Sequence, residues 1–310
     1  MGNPIHFYWR FNREVFVFVL KRNTTLKWIL LSPAFALTGI LIAYPLAYNF
    51  YLSFHSWYGS ATRLPRFEGF SNYIATLSDP RFWNSIRVTI VFTILALGIE
   101  IVAGFFIALY INREFRGKNF IKALFVFPFA ATPVAIALVW RNMYDPTLGV
   151  INYFVSLIGR VQPVEWLTKP HLVIPSLAFV DIWQWTPLVV LICMAGLEGL
   201  PREPIESAQI DGASKWQIFR RIIFPLMGPT LIAATMIRSW DVIKVFDIIY
   251  VMTAGGPGFA SENLNIYIYN TAFFYFNMGY ASSMMVILFA IVLGFNIILY
   301  QLTKRGNEKS

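Results

Sequence analysis

Long apolar runs dominate this chain, and the polar positions between them come in short, sharply bounded groups. Crossing a hydrocarbon core of about 30 Å takes about 20 consecutive apolar residues in a helix. Six stretches reach that length, near 28–54, 88–111, 120–140, 171–197, 226–250 and 281–302. The pattern predicts an all-α integral membrane protein with six transmembrane helices. The first stretch is too long, and too poor in a small-residue cleavage site, for a removed signal peptide. Residues 5–20, IHFYWRFNREVFVFVL, are apolar and aromatic but carry Arg10, Arg13 and Glu14, which predicts a helix lying in the interface. Loop 55–87 reads as turns with a short helix, and loop 251–280 opens on the Gly/Pro turn cluster TAGGPG. The organisation expected is a tail over 1–27, one six-span domain over 28–302 and a tail over 303–310.

Composition agrees: 57% of the 310 residues are hydrophobic and 13% charged, against about 25% charged in soluble domains. The net charge of +9 matters through its distribution. Arg10, Arg13, Lys21, Arg22 and Lys27 precede the first span. Three more basic residues lie in 112–119, four in 198–224 and three after the last span. The alternate loops hold Arg63, Arg66, Arg81, Arg160 and Lys169, and the remaining five basic residues lie within or at the edges of spans. An excess of Lys and Arg marks cytoplasmic loops, so both termini and the 198–224 loop are expected in the cytoplasm. One cysteine, Cys193, excludes an internal disulfide and a cysteine metal cluster, and His6, His55 and His171 are too scattered to suggest a metal site.

Prolines fall inside predicted spans at Pro128, Pro133, Pro175 and Pro187, where each removes a backbone bond and kinks the helix. Gly104 with Ala108, and Ala195 with Gly199, have the small-xxx-small spacing that permits close helix packing.

The polar stretch PIESAQIDGASKWQIFRRIIFPL, residues 204–226, stands out between two apolar runs. Pro204 suits a first helical turn, and 205–210 can form one short helix with Glu206 near its positive end. Asp211-Gly212 breaks it, since glycine reaches the backbone conformations a sharp reversal needs. Ser214 and Gln217 have the spacing of a capping box for a second helix. There Trp216, Phe219 and Ile223 share a face, Arg220 and Arg221 point elsewhere, and Pro225 begins the fifth span. Such an elbow, too small for a domain, suits docking into a groove of a soluble partner.

The order Glu206-Ser207-Ala208, Gly212, then Ile222-Ile223-Phe224-Pro225 resembles the coupling motif of bacterial ABC importer permeases. That motif is Glu-Ala-Ala, a glycine, then Ile-x-Leu-Pro; Ser207 stands for an alanine and Phe224 for the leucine. IDGAS and FRRIIFP look like the carbohydrate-uptake branch (sugar/glycerol-phosphate, maltose-type). FEGFSNYIATLSDPRFWNSIRVT, LEGLPREPIESAQIDGAS and KVFDIIYVMTAGGPG resemble further signatures in the family's order. The resemblance implies the type I importer permease fold, with a cytoplasmic helix-turn-helix coupling loop over 198–225 between helices 4 and 5. It implies a second homologous permease, two cytoplasmic ATPase subunits that hold ATP and Mg, and an extracytoplasmic solute-binding protein. Membrane lipid is an expected partner and nucleic acid is not. This chain would be a transport subunit of a bacterial or archaeal inner membrane, not an enzyme, with no catalytic residue, cofactor or metal of its own. Glu206 and Gly212 would touch the ATPase, together with Ser207, Ala208, Asp211 and Ala213. Trp216, Phe219, Arg220 and Pro225 complete the expected coupling surface.

Charges within spans are costly and usually pair or face water. Glu100, Asp181, Arg238 and Asp241 are such groups. Arg238 with Asp241, and Lys244 with Asp247, have i,i+3 spacing and can pair locally. Asp181 lies in DIWQWTP beside Trp183, Gln184 and Trp185. Rings that meet C–H faces and polar groups that take hydroxyls suit a sugar, so these residues are the candidate solute pathway. The two readings, local pairing and solute contact, stand side by side.

Two other classes compete. A membrane enzyme would need a nucleophile, metal or phosphate motif, and the chain has no G-x-S-x-G, H-E-x-x-H or G-x-x-x-x-G-K-[ST]. An ion-coupled secondary carrier could use Glu100 and Asp181, but nothing in such a carrier calls for the elbow.

Overall fold

The computed structural model describes residues 24–59, 64–113, 116–159 and 162–307. The interfacial helix expected over 5–20 lies outside them. The described residues up to Leu52 form one compact unit and those from Ser53 another. In the first, α1 (Thr24–Thr38), a π-helical turn (Gly39–Ala43) and α2 (Tyr44–Ser53) follow without interruption. They make an apolar helix, Lys27–Ser53, long enough to cross a membrane.

The second unit opens on two short antiparallel strands, β1 (His55–Ser56) and β2 (Arg66–Phe67), with His55 opposite Phe67. Next come α3 (Ser71–Ser78), α4 (Pro80–Ile111), α5 (Lys118–Ala130), α6 (Pro133–Met143), α7 (Val150–Leu157) and α8 (Pro170–Glu198). The polar stretch forms α9 (Glu203–Ile210) and α10 (Lys215–Ile218). A π turn (Phe219–Ile223) leads into α11 (Phe224–Val242), then α12 (Asp247–Thr253) and α13 (Leu264–Tyr269). A further π turn (Asn270–Phe274) precedes α14 (Met278–Asn307).

Among the described residues, five helices are long and apolar enough to span: Lys27–Ser53, Pro80–Ile111, Pro170–Glu198, Lys215–Val242 and Met278–Gln301. The stretch expected to span over 120–140 is two helices instead, broken at Ala131 and Thr132. Pro133 is the cause: it sterically excludes the helical region for the residue before it, and Thr132 is extended at ψ 139°. The fifth span also differs. It begins in the polar elbow at Lys215, so Pro225 continues a helix rather than opening one, and it ends at Val242 rather than near 250.

The core gathers on α4 and α8. Gly104 lies so close to α8 that a Cβ there would come within 2.6 Å of Val189. On α8 the residue in tight contact is Gly196, against Thr230 of α11, rather than the expected Ala195 and Gly199. The connection between α6 and α8 closes on buried Asn152. Its Nδ2 donates to the Val164 carbonyl (3.0 Å), and its Oδ1 accepts from Val164 N–H and Trp166 Nε1–H (3.1 Å each).

At the N-terminus of α4, Asp79 caps the helix by accepting from Arg81 N–H at 2.8 Å. It also accepts from the hydroxyls of Tyr267 and of Tyr280, the latter at 3.0 Å. Burial works against ionisation of Asp79, but the hydrogen bonds from Tyr267, Arg81 N–H and Tyr280 outweigh it and hold the carboxyl below its usual range. A carboxyl with a lowered folded-state pKa stabilises the fold above its unfolded pKa of about 3.9, and the contribution fades as pH falls through the folded value. Asp79→Asn is therefore expected to lower the melting temperature of the purified protein at pH 7, with the gap to the parent shrinking below about pH 4. A gap that stays constant across that range would exclude the charge as the cause.

Candidate functional site

Two sites emerge, one at each end of the helix Lys215–Val242. The first is the elbow. α9 is a helix of 8 residues with Glu203 and Glu206 in its first turn and no buried residue. It ends where Asp211 N–H donates to the Ser207 carbonyl (3.0 Å) and Gly212 N–H to that of Gln209 (3.1 Å). Gly212 has φ +75° and open space where a Cβ would be, so glycine is needed there for its backbone alone. α10 starts with the expected capping box: Gln217 N–H donates to Ser214 Oγ (3.3 Å) and Ser214 N–H to Gln217 Oε1 (2.7 Å).

The apolar side of the elbow divides differently from the expected face. Ile218 is buried, whereas Trp216 is 64% exposed. Trp216 stacks on Phe219 with ring centroids 5.4 Å apart, and Phe219 in turn lies 6.1 Å from Phe105 of α4. Ile210 is 86% exposed. Ser207 and Pro225 are exposed, Ala208 and Ala213 are half-buried, and Arg220 and Arg221 are exposed on the π turn. The elbow thus offers two apolar side chains, an acidic turn and two cations to whatever meets it. Beneath it a cavity of about 420 Å³ separates it from the ends of α4 and α8, lined by Leu109, Asn112, Leu197, Leu200 and Ile205 among others.

The second site is charged and deep. Arg238 of α11, 1% exposed, donates from Nε to Glu100 Oε2 at 2.7 Å and from Nη2 to Glu100 Oε1 at 3.1 Å. Nη2 also meets Asp181. Glu100 comes from α4 and Asp181 from α8, so one guanidinium ties three helices, and its planar fork suits the bidentate arrangement. The ring of Trp185 lies 4.8 Å from the guanidinium carbon. This corrects the expectation of local pairing. Arg238 pairs across helices, while Asp241, half exposed, pairs with Lys244 at 3.8 Å, which also replaces the expected Lys244–Asp247 pair. At i,i+3 the Arg238 and Asp241 side chains could meet, but two carboxylates already buried in the core claim the guanidinium.

A cavity of about 230 Å³ opens beside the cluster, lined by Asp181, Trp185, Arg238, Asp241, Lys244 and Phe246 with their neighbours. Trp183 takes no part. Two residues along a helix turn a side chain to nearly the opposite face, and Trp183 packs edge-on against Trp140 at 5.5 Å. Gln184 is buried, donates from Nε2 to the Ala131 carbonyl at 3.2 Å and leaves its Oε1 without a partner among the described residues. It seals the break between α5 and α6 rather than lining the cavity. Lys244, read in the sequence only as a partner for Asp247, and Phe246 were not among the expected pathway residues; both lie in the break after Val242 and line the cavity.

Residues 100–306 match the family described as binding-protein-dependent transport system inner membrane component, and the chain belongs to it. It is a multi-pass permease subunit of an ABC importer. The trehalose/maltose transport system permease protein MalF of Thermococcus litoralis is 33% identical over 282 residues, 89% of this chain and 93% of that protein. The sulfoquinovosyl glycerol transport system permease protein SmoG of Agrobacterium fabrum is 30% identical over 263 residues, covering 85% of each. The fold is shared with a bacterial ABC transporter involved in import of the acidic polysaccharide alginate. That likeness has a TM-score of 0.78 at 22% identity and covers 92% of this chain and 97% of the other. A bacterial alginate ABC transporter in complex with an alginate pentasaccharide-bound periplasmic protein shares the fold as well, with a TM-score of 0.78 at 22% identity over 92% of this chain and 96% of the other.

Proposed function

We propose that this chain is one permease half of an importer for a neutral carbohydrate of the trehalose and maltose class, driven by separate ATPase subunits that dock on the elbow. The observation that carries the reading is the helix Lys215–Val242. It starts in the exposed elbow and ends four residues after Arg238, so a push on Trp216 acts on the same helix that carries Arg238 of the charged cluster. Glu206, Gly212 and Trp216 would meet the ATPase, which would hold ATP and Mg. A second permease would complete the solute path and an extracytoplasmic binding protein would deliver the solute. Both termini and the elbow would be cytoplasmic, as the distribution of Lys and Arg suggests.

The carbohydrate class rests on the cavity and on the relatives' names. Trp185 and Phe246 supply ring faces, while Asp241 and Lys244 supply hydroxyl-binding groups. Arg238 is already bound by two carboxylates, leaving little attraction for an acidic solute.

Tagged at its C-terminus and extracted gently from native membranes, the chain is expected to bring down an ATPase and a second permease. Glu206→Lys reverses one of the two acidic charges of the first helical turn and is expected to lose the ATPase while the protein melts as before. A folded parent chain that repeatedly purifies alone would overturn the proposal.

A further inference from the structure

The segment 261–265 returns into the core between α12 and α13, and Ser261, Glu262, Asn263 and Leu264 are buried. Successive residues reach different walls. Glu262 takes both Nε and Nη2 of Arg81 at 2.7 Å each. Leu264 N–H donates to Thr89 Oγ1 of α4 at 2.9 Å. Asn263 works in two directions: its Oδ1 accepts from Ile266 N–H at 2.9 Å, capping α13, and its Nδ2 donates to the Val245 carbonyl at 2.6 Å. Asn265 Nδ2 donates to the Lys244 carbonyl at 2.7 Å.

Lys244 and Val245 lie in the break between α11 and α12, and both line the cavity beside Arg238. A helix that stops leaves carbonyls without intrahelical partners. Unwound backbone at membrane depth persists only where protein or cavity water satisfies those groups. The two asparagine amides supply the partners, from a segment that is itself anchored on α4 through Arg81 and Thr89.

We propose that Asn263 is a positioning residue of the solute cavity. By holding the Val245 carbonyl it fixes the unwound stretch 243–246, and so sets where Lys244 and Phe246 stand when a carbohydrate binds. The proposal rests on the reading that this cavity faces the solute.

The test uses the complete transporter in proteoliposomes, with its binding protein and labelled trehalose and maltose as probes. Asn263→Asp keeps the oxygen that caps α13 and replaces the donor facing Val245 by an acceptor. Loss of that bond is expected to raise the half-saturation for the transported sugar about tenfold, with the maximal rate falling by no more than about twofold. Asn265→Ala, which leaves the α13 cap untouched, should move half-saturation in the same direction and serves if Asn263→Asp fails to fold. Trp185→Ala is the control for the cavity itself. If Trp185→Ala raises half-saturation and both asparagine variants change only yield or maximal rate, the positioning role is overturned and the cavity reading stands. If Trp185→Ala changes nothing either, or the parent moves neither sugar, the cavity reading falls and the proposal with it.

Discussion

Replacing Arg238 with leucine is expected to be the most damaging single change in the protein. The substitution leaves Glu100 and Asp181, 0% and 1% exposed, side by side without their cation. Breaking a buried ion pair by removing one partner costs about 3–5 kcal/mol, a large share of the about 5–15 kcal/mol that separates folded from unfolded states. The helices α4, α8 and α11 would lose their common tie as well. The expected outcome is a steep fall in yield and in melting temperature in mild detergent. Arg238→Lys keeps a charge but not the planar two-pronged contact with Glu100, and should fall between leucine and the parent. The triple variant Glu100→Gln, Asp181→Asn, Arg238→Met removes charge without stranding any and should recover most of the stability. A leucine variant that melts like the parent would mean the cluster contributes nothing to the fold.

Gly279→Val is expected to be nearly as severe, for a steric reason. A Cβ at this first turn of α14 would overlap the carbonyl oxygen of His55 and come within 3.3 Å of Asn72 Nδ2. Neither neighbour can move freely. Asn72 donates to the carbonyls of Ser53 (3.0 Å) and His55 (3.1 Å), and Met278 N–H and Gly279 N–H both donate to the Trp57 carbonyl, at 2.9 and 3.2 Å. Overpacking usually costs about 1–3 kcal/mol, and a Cβ driven into a backbone carbonyl belongs at the upper end. Thermal melts of the purified variant measure it. Gly294→Ala, also in α14 but with nothing within reach of a Cβ, should melt within a degree or two of the parent. If the two variants behave alike, contact with His55 is not the cause.

Local pattern was enough to find the long elements. The helices Pro80–Ile111, Pro170–Glu198 and Met278–Gln301 follow from apolar length, and the two short helices of the elbow from Gly212 and the Ser214–Gln217 box. What the pattern could not give is anything that depends on partners remote in sequence. Glu100 and Arg238 are 138 positions apart, so pairing rules that see only i,i+3 matched Arg238 with Asp241 instead. The aromatic pair in DIWQWTP looked like one surface, but helical geometry sends Trp185 to Arg238 and Trp183 to Trp140. The break after Val242 carries no proline or glycine; it is held open by Asn263 and Asn265, which no local signal connects to it. The break at Ala131 could have been read from Pro133, whose effect on the preceding residue outweighs an otherwise apolar run.

That broken third stretch also bears on how the chain is made. Its halves, 13 and 11 residues, rise only about 20 and 16 Å as helices, and neither matches the bilayer unaided. The carbonyl freed at Ala131 finds its donor in Gln184, which the ribosome adds 53 residues later. Until α8 emerges, that carbonyl lacks this donor. The segment's insertion is therefore expected to be tied to that of a later helix, making biogenesis of this half of the bundle a joint event rather than a sequence of independent threadings.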